Sequence, residues 1–339
     1  MSVRIVDIAK AAKVSPSAVS LALNNKNGVS AQVRRRIVDI AADMGYKSLP
    51  GNPYLVNENI SIRFLKIAKH GHIINNNHNA FITEYLEGIE SQIKKRKYKF
   101  EISFFNQIPV EEIVASQKET AVDGLIALGT ELSTHELTLF LSLSKPVVFI
   151  DTCFSFSAFD CVDIDNTDGV FKAVEHLYLN GHRKIGMITG SRDTRNFKMR
   201  EFGFREAMEY FSLPVQEHFI LSVDPAFEQA ALDMKKHLKK GRPLPTAFFC
   251  LNDIIAHGCI KAFREHHIRI PGDISIIGYD NLPISGFSDP PLTSIKVSNH
   301  QIGSRALEML AERISGSMAM PENILVAGSL VTRSSVKTL

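Results

Sequence analysis

Several features that would assign this chain to a common functional class are absent from its sequence. No apolar run approaches the roughly 18 residues that a membrane-spanning helix needs. The first residues, Met1–Lys13, are amphipathic and charged and contain no apolar core of a secretion signal. A membrane protein and a secreted protein are therefore disfavoured, and we expect the chain to stay in the cytoplasm without a membrane partner.

Cysteine is scarce. The four cysteines, Cys153, Cys161, Cys250 and Cys259, form no CxxC pair and stand at no zinc-finger spacing with histidine. Free thiols in a reducing compartment are the favoured interpretation, with disulfides as the alternative. We expect no metal site.

Common catalytic motifs are also missing. The sequence has no GxSxG, GxxxxGK[ST], HExxH or GxGxxG, and it pairs no nucleophile with a base at a recognisable spacing. An enzyme is therefore the weaker hypothesis, and we expect no cofactor and no turnover.

What is present is a basic segment ahead of a near-neutral body. Met1–Lys47 holds eight basic and three acidic residues, a balance of +5, whereas the whole chain carries +3. The remainder is therefore close to −2. At 339 residues the chain is long enough for two or three domains of about 150 residues. A small basic module is typical of nucleic-acid binding, although a solvated basic face gives the same count.

The basic segment reads as three short helices. Ile5, Ile8, Ala9 and Ala12 recur at helical spacing. Ser15 followed by Pro16 is a good start for a second helix, which should extend to Leu23, and Ser30 is placed to cap a third helix. Two short helices braced by a third predict a helix-turn-helix, with an ordinary three-helix bundle as the alternative.

In such a headpiece the second helix enters the major groove. We expect Pro16, Ser17 and Leu21 to meet base edges. Small polar side chains are placed to hydrogen-bond phosphates; they are Ser15, Ser20, Asn24 and Ser30.

Beyond residue 60, strand-like and helix-like segments alternate, which predicts parallel sheets with helices on both faces. The predicted strands are Ile62–Ala68, Phe100–Phe105, Gly124–Leu128, Val147–Ile150, Ile185–Ile188, Ala247–Cys250 and Ile274–Ile277. The clearest helical stretches are Ala80–Lys95, Gly169–Asn180 and Asp253–His266. About 280 residues of this pattern favour two lobes over one.

Longer motifs resemble one family closely. The headpiece motifs are IVDIAKAAKVS from Ile5, AVSLALN from Ala18, Val29-Ser30 and Met44-Gly45-Tyr46. Those of the body include DNTDG from Asp165, GHRKI from Gly181, REFGF from Arg200, NDIIAHG from Asn252, IPGDISIIGYD from Ile270, PLTSI from Pro291 and LVTRSS from Leu330. The chain resembles the lactose-repressor/galactose-repressor (LacI/GalR) family over nearly its whole length.

The resemblance implies an α-helical helix-turn-helix headpiece (1–47), a hinge (48–59) and an α/β two-lobed, periplasmic-binding-protein-like domain (60–339) with two parallel doubly wound sheets. We expect the first lobe to comprise about 60–162 and 292–320, and the second lobe about 163–291 and 321–339.

In the DNA-binding region, the family's base-reading positions fall on Pro16, Ser17 and Leu21. Leu21 stands where the family often has arginine, and an apolar side chain suits a thymine methyl. The family's hinge helix inserts a leucine into the minor groove, and Leu55 matches that leucine. Gly51 and Pro53 are poor helix residues, so we hypothesise that this hinge is shortened, shifted or non-helical.

The resemblance also implies an effector site between the lobes. Its matching residues are Asp151, Arg200, Asn252 and Asp280, with Phe227 at the position of a stacking ring. Carboxylates, an amide and a guanidinium suit hydroxyl groups, and a ring suits the apolar face of a sugar or base. Taken singly, these residues could be turn, cap, ion-pair or core residues.

The segment from Lys69 to Asn79 is rich in His and Asn and follows the first strand of the body, so it should line the cleft mouth. A polar or flexible loop is favoured over a metal site there, and His70 is the candidate effector contact.

Together these features predict a homodimeric transcriptional regulator, most simply a repressor. It would bind near-palindromic double-stranded operator DNA under the control of a small-molecule effector. The favoured effector is a sugar or sugar derivative, with a purine or nucleoside as the alternative. A sugar-binding protein without a regulatory role is a further alternative, although it has no use for Arg4–Tyr46. With no leucine-heptad tail after Arg333, we expect no tail-mediated tetramer.

Overall fold

The computed structural model describes residues 3–23, 28–44, 46, 60–69, 79–154, 158–316 and 320–339. Among them, no helix is both long enough and apolar enough to cross a membrane. The hinge residues Gly51, Pro53 and Leu55, together with Asn24 and His70, lie outside the described residues. The hinge hypothesis therefore stays a prediction.

Three helices form the headpiece: α1 (Ile5–Ala12), α2 (Pro16–Leu23) and α3 (Ala31–Asp43). They enclose a small core of their own, to which each helix contributes, for example Ile8, Val19 and Ile37. Helix α1 ends because Lys13 adopts a left-handed conformation with φ of 52°. The predicted three-helix pattern is confirmed, including the start of α2 at Pro16.

The body contains twelve strands and eight helices within the described ranges. The strands are β1 (Ser61–Ala68), β2 (Lys99–Asn106), β3 (Gly124–Leu128), β4 (Val147–Ile150), β5 (Asp160–Asp165), β6 (Ile185–Gly190), β7 (Ile220–Val223), β8 (Ala247–Cys250), β9 (Ser275–Asp280), β10 (Thr293–Lys296), β11 (Asn323–Ala327) and β12 (Ser329–Val331). The helices are α4 (Asn79–Arg96), α5 (Val110–Lys118), α6 (Thr134–Leu139), α7 (Asn166–Leu179), α8 (Arg195–Tyr210), α9 (Phe227–Leu238), α10 (Asp253–Glu265) and α11 (Asn299–Ile314).

These strands form two six-stranded sheets with equivalent strand orders. The first has the order β11-β5-β4-β3-β1-β2, and the second has the order β12-β10-β9-β8-β6-β7. The printed pairings are parallel, except that β12 runs antiparallel to β10. Central strands such as β3 and β8 are buried along their whole length, as expected when helices cover both faces. The predicted two-lobed α/β fold is confirmed.

The predicted lobe limits need correction at their carboxyl-terminal parts. Strand β10 lies in the second sheet, although 292–320 was assigned to the first lobe. Strand β11 lies in the first sheet, although 321–339 was assigned to the second. The chain therefore passes between the sheets after β5, after β10 and again after β11. An apolar strand pattern does not say which of two sheets the strand joins.

Two glycines allow α4 and α11 to pack closely in the first lobe. A Cβ at Gly88 would lie 2.0 Å from the carbonyl oxygen of His300, and one at Gly303 would lie 2.1 Å from that of Tyr85. Only glycine permits this approach of two helix backbones. The contact fixes the start of α4, which carries side chains into the cleft between the lobes.

Candidate effector and DNA-binding sites

A cavity lies between the two lobes at the carboxyl ends of their parallel strands, where open α/β sheets bind ligands. The first lobe contributes Phe81, Ile82, Tyr85, Leu128, Thr130 and Asp151. The second lobe contributes Thr194, Asn196, Phe197, Arg200, Asn252 and Asp280. The cavity measures about 30 Å³, which is room for about two waters. A ligand the size of a sugar therefore requires the lobes to separate or these side chains to move.

Asp151 is the polar centre of the first lobe's wall. It directly follows β4 and adopts a left-handed backbone with φ of 59°, a conformation that few non-glycine residues adopt, Asp and Asn more often than most. Its carboxylate accepts hydrogen bonds from the Tyr85 hydroxyl at 3.0 Å and from the Thr130 hydroxyl. Burial raises the pKa of Asp151, and the Thr130 and Tyr85 hydrogen bonds and the Arg200 charge oppose that rise.

Asn196 ties the two lobes together across this point. It lies in the first turn of α8, and its side-chain nitrogen donates to the Asp151 carboxylate at 2.9 Å and to the Asp151 carbonyl at 3.1 Å. A ligand entering between the lobes must exchange with this contact.

Arg200 lies one turn further along α8 and is only 3% exposed. Its Nε donates to Asn166 Oδ1 at 2.8 Å, and its Nη1 donates to the Leu251 carbonyl at 2.6 Å and to Asp280 Oδ1 at 3.2 Å. The guanidinium also lies 3.8 Å from the centre of the Tyr279 ring. The side chain is therefore fixed in position, with its charge at the floor of the cavity.

Asp280 is the last residue of β9, and Asp151 directly follows β4, the equivalent strand of the other sheet. Like Asp151, Asp280 has a positive φ, of 99°. Burial raises the pKa of Asp280 to about 7, although the neighbouring Arg200 opposes the rise. The buried Asp163 also lies near Asp151, and burial followed by that charge raises its pKa well above the usual range. Three buried carboxyl groups thus surround one guanidinium, so acidic side chains outnumber basic ones at this site.

Asn252 combines two functions that the sequence left as alternatives. It lines the cavity, and its Oδ1 accepts a hydrogen bond from the Ile255 amide at 2.9 Å, which caps α10. The cap fixes the side chain and leaves its Nδ2 amide group as a donor.

The aromatic residue expected in the site is not among the cavity-lining residues. Phe227 begins α9 and is half-buried against the core, with the Lys261 ammonium 5.4 Å from its ring centre. The rings that line the cavity are Phe81, Tyr85 and Phe197, which the sequence analysis missed together with Asn196. The i, i+4 spacing of Phe81 and Tyr85, and of Asn196 and Arg200, is the signal that could have grouped them.

The described DNA-binding candidates of the headpiece differ in exposure, and two of them also cap helices. Ser15, Pro16 and Ser17 are exposed at the start of α2, whereas Ser20 and Leu21 are half-buried. The Ser15 hydroxyl accepts from the Ala18 amide at 3.1 Å and is 2.9 Å from the Ser17 hydroxyl.

Ser30 is exposed at the start of α3, where its hydroxyl accepts from the Val33 amide at 3.4 Å. Ser15 and Ser30 are therefore helix caps whatever else they contact.

Two of the headpiece arginines bind helix ends within the chain. Arg34 Nη1 donates to the carbonyls of Leu21 at 3.2 Å and Ala22 at 3.3 Å, and Arg36 donates to the carbonyl of Ala12. These carbonyls lie in the last turns of α2 and α1, near the negative ends of the helix dipoles. Part of the basic charge counted in this segment therefore holds the headpiece together.

The described residues contain no group of three or more His, Cys, Asp or Glu side chains arranged to hold a metal ion.

Comparison with known proteins supports both the DNA-binding headpiece and the two-lobed body. Residues 4–48 match the family described as "Bacterial regulatory proteins, lacI family", and residues 174–336 match a "Periplasmic binding protein-like domain". A relative from Actinobacillus pleuropneumoniae serotype 3 (strain JL03), "HTH-type transcriptional repressor PurR", is 31% identical over 99% of this chain and 98% of its own length. The "Ribose operon repressor" of Haemophilus influenzae (strain ATCC 51907 / DSM 11121 / KW20 / Rd) is 28% identical over 98% of both chains.

Solved structures show the same fold. A lac repressor dimer bound to operator and the anti-inducer ONPF has a TM-score of 0.73 at 22% identity, covering 99% of this chain and 100% of the other. A complex of the transcriptional regulator CelR with cellobiose also has a TM-score of 0.73, at 21% identity, covering 98% and 99%.

Proposed function

Since the chain belongs to the lacI family of bacterial regulatory proteins, a family of effector-controlled DNA-binding transcriptional repressors, we propose that its interlobe cavity binds a neutral polyhydroxylated effector, a sugar or sugar derivative. We further propose that the chain acts as a homodimer on a near-palindromic operator in the bacterial cytoplasm. Effector and operator then bind with reciprocal coupling, because each changes the affinity for the other by the same factor.

The observation that carries the effector proposal is the pair of inward-facing carboxyl groups at equivalent strand ends. Asp151 and Asp280 accept hydrogen bonds, which hydroxyl groups donate. Arg200 is already paired with Asp280, so the site offers little net positive charge to an anion. Sugar phosphates and carboxylic acids are therefore disfavoured, because each would add negative charge beside buried carboxyl groups.

A purine or nucleoside is the second candidate. The specific observation in its favour is that three aromatic rings, Phe81, Tyr85 and Phe197, line one small cavity. A planar base would stack on such rings, whereas a sugar uses them only along its apolar face. A sugar brings more hydroxyl groups than a purine, and each of them needs a hydrogen-bond acceptor such as the carboxyl groups of the cavity.

A thermal-shift screen of the full chain distinguishes these classes. A ligand at 100 times its dissociation constant adds about 2.7 kcal/mol to the free energy of unfolding. We expect neutral sugars to raise the melting temperature and sugar phosphates to leave it unchanged.

Asp280→Asn should abolish the ligand-induced rise in melting temperature, measured relative to the melting temperature of the same variant without ligand. The exposed control Asp289→Asn, whose side chain is 93% exposed, should keep it. A shift produced only by phosphorylated sugars, or one retained by Asp280→Asn, would contradict the proposal.

For the DNA half, we propose that the exposed start of α2, Pro16 and Ser17, enters the major groove, with Leu21 beside it. Phosphates would be contacted by Ser15, Ser20, Asn24 and Ser30, and Leu55 of the hinge would reach the minor groove. Selection of bound sequences from random DNA tests this, because two headpieces should select two half-sites in inverted repeat. Selected DNA with a single half-site and no symmetry would contradict the dimeric arrangement.

A further inference from the structure

Asn166 lies at the point where the chain leaves the first sheet and enters the second lobe. It follows Asp165, the last residue of β5, and it is the first residue of α7, which packs against α8. Its side chain is only 4% exposed and is not among the cavity-lining residues. A buried amide needs hydrogen-bond partners, and those of Asn166 come from both lobes.

The partners of Asn166 fix the direction in which its amide points. A guanidinium has only donors, so the atom that Arg200 Nε contacts at 2.8 Å must be the amide oxygen, Oδ1. The Nδ2 group therefore faces the other way, and it donates to the Ile164 carbonyl at 3.2 Å and to Asn196 Oδ1 at 3.0 Å. The orientation of Asn166 is thus set by a charge that belongs to the effector site.

Asn166 in turn fixes the orientation of Asn196. Because an amide donor meets Asn196 Oδ1, the Asn196 Nδ2 group must point to the first lobe, where it donates to the carboxylate of Asp151 at 2.9 Å and to its carbonyl at 3.1 Å. The Asp151 carbonyl can only accept, and the carboxylate already accepts from two hydroxyl groups. A reversed Asn196 amide would place an oxygen against these acceptors.

We propose that Asn166 is a positioning residue that helps to hold the cleft between the lobes closed in the absence of effector. It does so by keeping the Asn196 amide turned so that it donates across the cleft to Asp151. This inference rests on the proposed effector function of the cavity, because a sugar can enter only by exchanging with that contact. A ligand that draws Arg200 away from Asn166 would also loosen the contact, since Arg200 begins the chain of hydrogen bonds.

The substitution Asn166→Asp isolates the donor that this chain of hydrogen bonds needs. It keeps the shape of the side chain and the acceptor for Arg200, but it replaces the Nδ2 donor by a second acceptor oxygen. The Asn196 amide should then turn around, so that its Nδ2 group donates to the new carboxylate and its oxygen faces Asp151. The cleft contact is lost although neither of its two residues has been changed.

Hydrogen exchange of the full chain without effector, followed by mass spectrometry, measures this contact. We expect peptides that span Asp151 to exchange at least about tenfold faster in Asn166→Asp and in Asn196→Ala, because a hydrogen bond to a charged group is worth that factor or more. The double variant should exchange no faster than Asn196→Ala alone, because both changes act on one contact. The control Asn180→Asp, the same change just beyond the far end of α7, should exchange like the unmodified chain.

Two results of this experiment would overturn the proposal. Exchange at Asp151 that is unchanged in Asn166→Asp would show that the Asn196 amide does not depend on Asn166. A double variant that exchanges faster than Asn196→Ala would show that Asn166 acts by another route. In case Asn166→Asp fails to fold, Asn166→Ala removes the donor without adding a charge, and its exchange should lie between those of the unmodified chain and Asn196→Ala.

The exchange experiment needs no effector, so its outcome is independent of the sugar proposal. Faster exchange in a chain that binds no sugar would contradict the proposed effector class while supporting the role of Asn166. With a sugar found by thermal shift, Asn166→Asp should bind it about tenfold more tightly, since the ligand no longer has to break the cleft contact. An unchanged or weaker sugar affinity, in a variant whose exchange is faster, would overturn the claim that this contact opposes effector entry.

Discussion

Replacing Arg200 by methionine should destabilise the second lobe strongly and in a pH-dependent way. Arg200 is 3% exposed and Asp280 is 8% exposed, and their charged atoms are 3.2 Å apart. Methionine fills much of the side-chain volume but supplies no charge and no donors. Asp280 would lose its counter-charge, and the Leu251 carbonyl and the Asn166 amide oxygen would each lose a hydrogen-bond donor.

The magnitude follows from the burial of the pair. Removing one partner of a buried ion pair costs about 3–5 kcal/mol, because the remaining charge is left uncompensated. The pKa of Asp280 is already raised to about 7, and it rises further without the guanidinium that opposes the rise. Asp280 in the variant therefore takes up a proton as the pH falls. We expect the full loss near pH 8 and a smaller loss near pH 6.

Urea unfolding followed by circular dichroism at both pH values measures the effect. The matched control is Arg205→Met, on the same helix, whose partner Glu217 is exposed. We expect the control to leave the unfolding midpoint unchanged. The double variant Arg200→Met/Asp280→Asn should recover part of the loss, because it removes the stranded carboxyl group. A loss below about 1 kcal/mol at pH 8, or a double variant no more stable than Arg200→Met, would refute the reasoning.

Three further predictions concern stability. The pKa of Asp280 is about 7 in the folded chain and about 4 in the unfolded chain, so the folded chain binds more protons between these values. The free energy of unfolding should therefore fall as the pH rises from about 4 to 7. Asp280→Asn should flatten this slope in a pH series of unfolding midpoints. Arg34→Ala should cost the headpiece about 1–3 kcal/mol and reduce amide protection at the end of α2, whereas Lys10→Ala should not. Gly88→Ala should lower the free energy of unfolding by at least about 1 kcal/mol, and with it the melting temperature, since its Cβ meets a backbone carbonyl; an unchanged melting temperature would contradict the packing.

Local chemistry made the headpiece and the central strands predictable. The Ser15-Pro16 pair correctly predicted the first residue of α2, and the described part of the helix extends to Leu23. Strands β3, β4 and β8 match their predicted limits at both ends, because each is a continuous apolar run buried on both faces.

Five strands were not predicted by the same signal: β5, β7, β10, β11 and β12. Strand β5 reads Asp-Cys-Val-Asp-Ile-Asp, whose three carboxyl groups conceal a strand that is buried except at its last residue. Strands β10, β11 and β12 are short, and their assignment to one sheet or the other depends on three chain crossings. No local pattern encodes such crossings, which explains the error in the lobe limits.

Three of the residues that the family resemblance implied for the effector site line the cavity and lie at or just beyond the end of a strand. Asp151, Asn252 and Asp280 line it because the ends of parallel strands converge. The lining rings and Asn196 come from helices that begin beside the cleft. An i, i+4 spacing groups residues on one helix, but it does not report which helices meet across the cleft. Phe227 was implied by the same resemblance, but it is not among the cavity-lining residues, and its ring lies at the start of α9 beside Lys261.

The most direct test of the account measures operator affinity and effector affinity on the same protein. With a selected operator and a sugar found by thermal shift, fluorescence anisotropy should show a change in operator affinity on adding the sugar. The sugar's own affinity should change by the same factor when operator is added. Asp280→Asn should bind the operator but lose this response. A stabilising sugar that leaves operator affinity unchanged, or a full response in Asp280→Asn, would contradict control of DNA binding through this cavity.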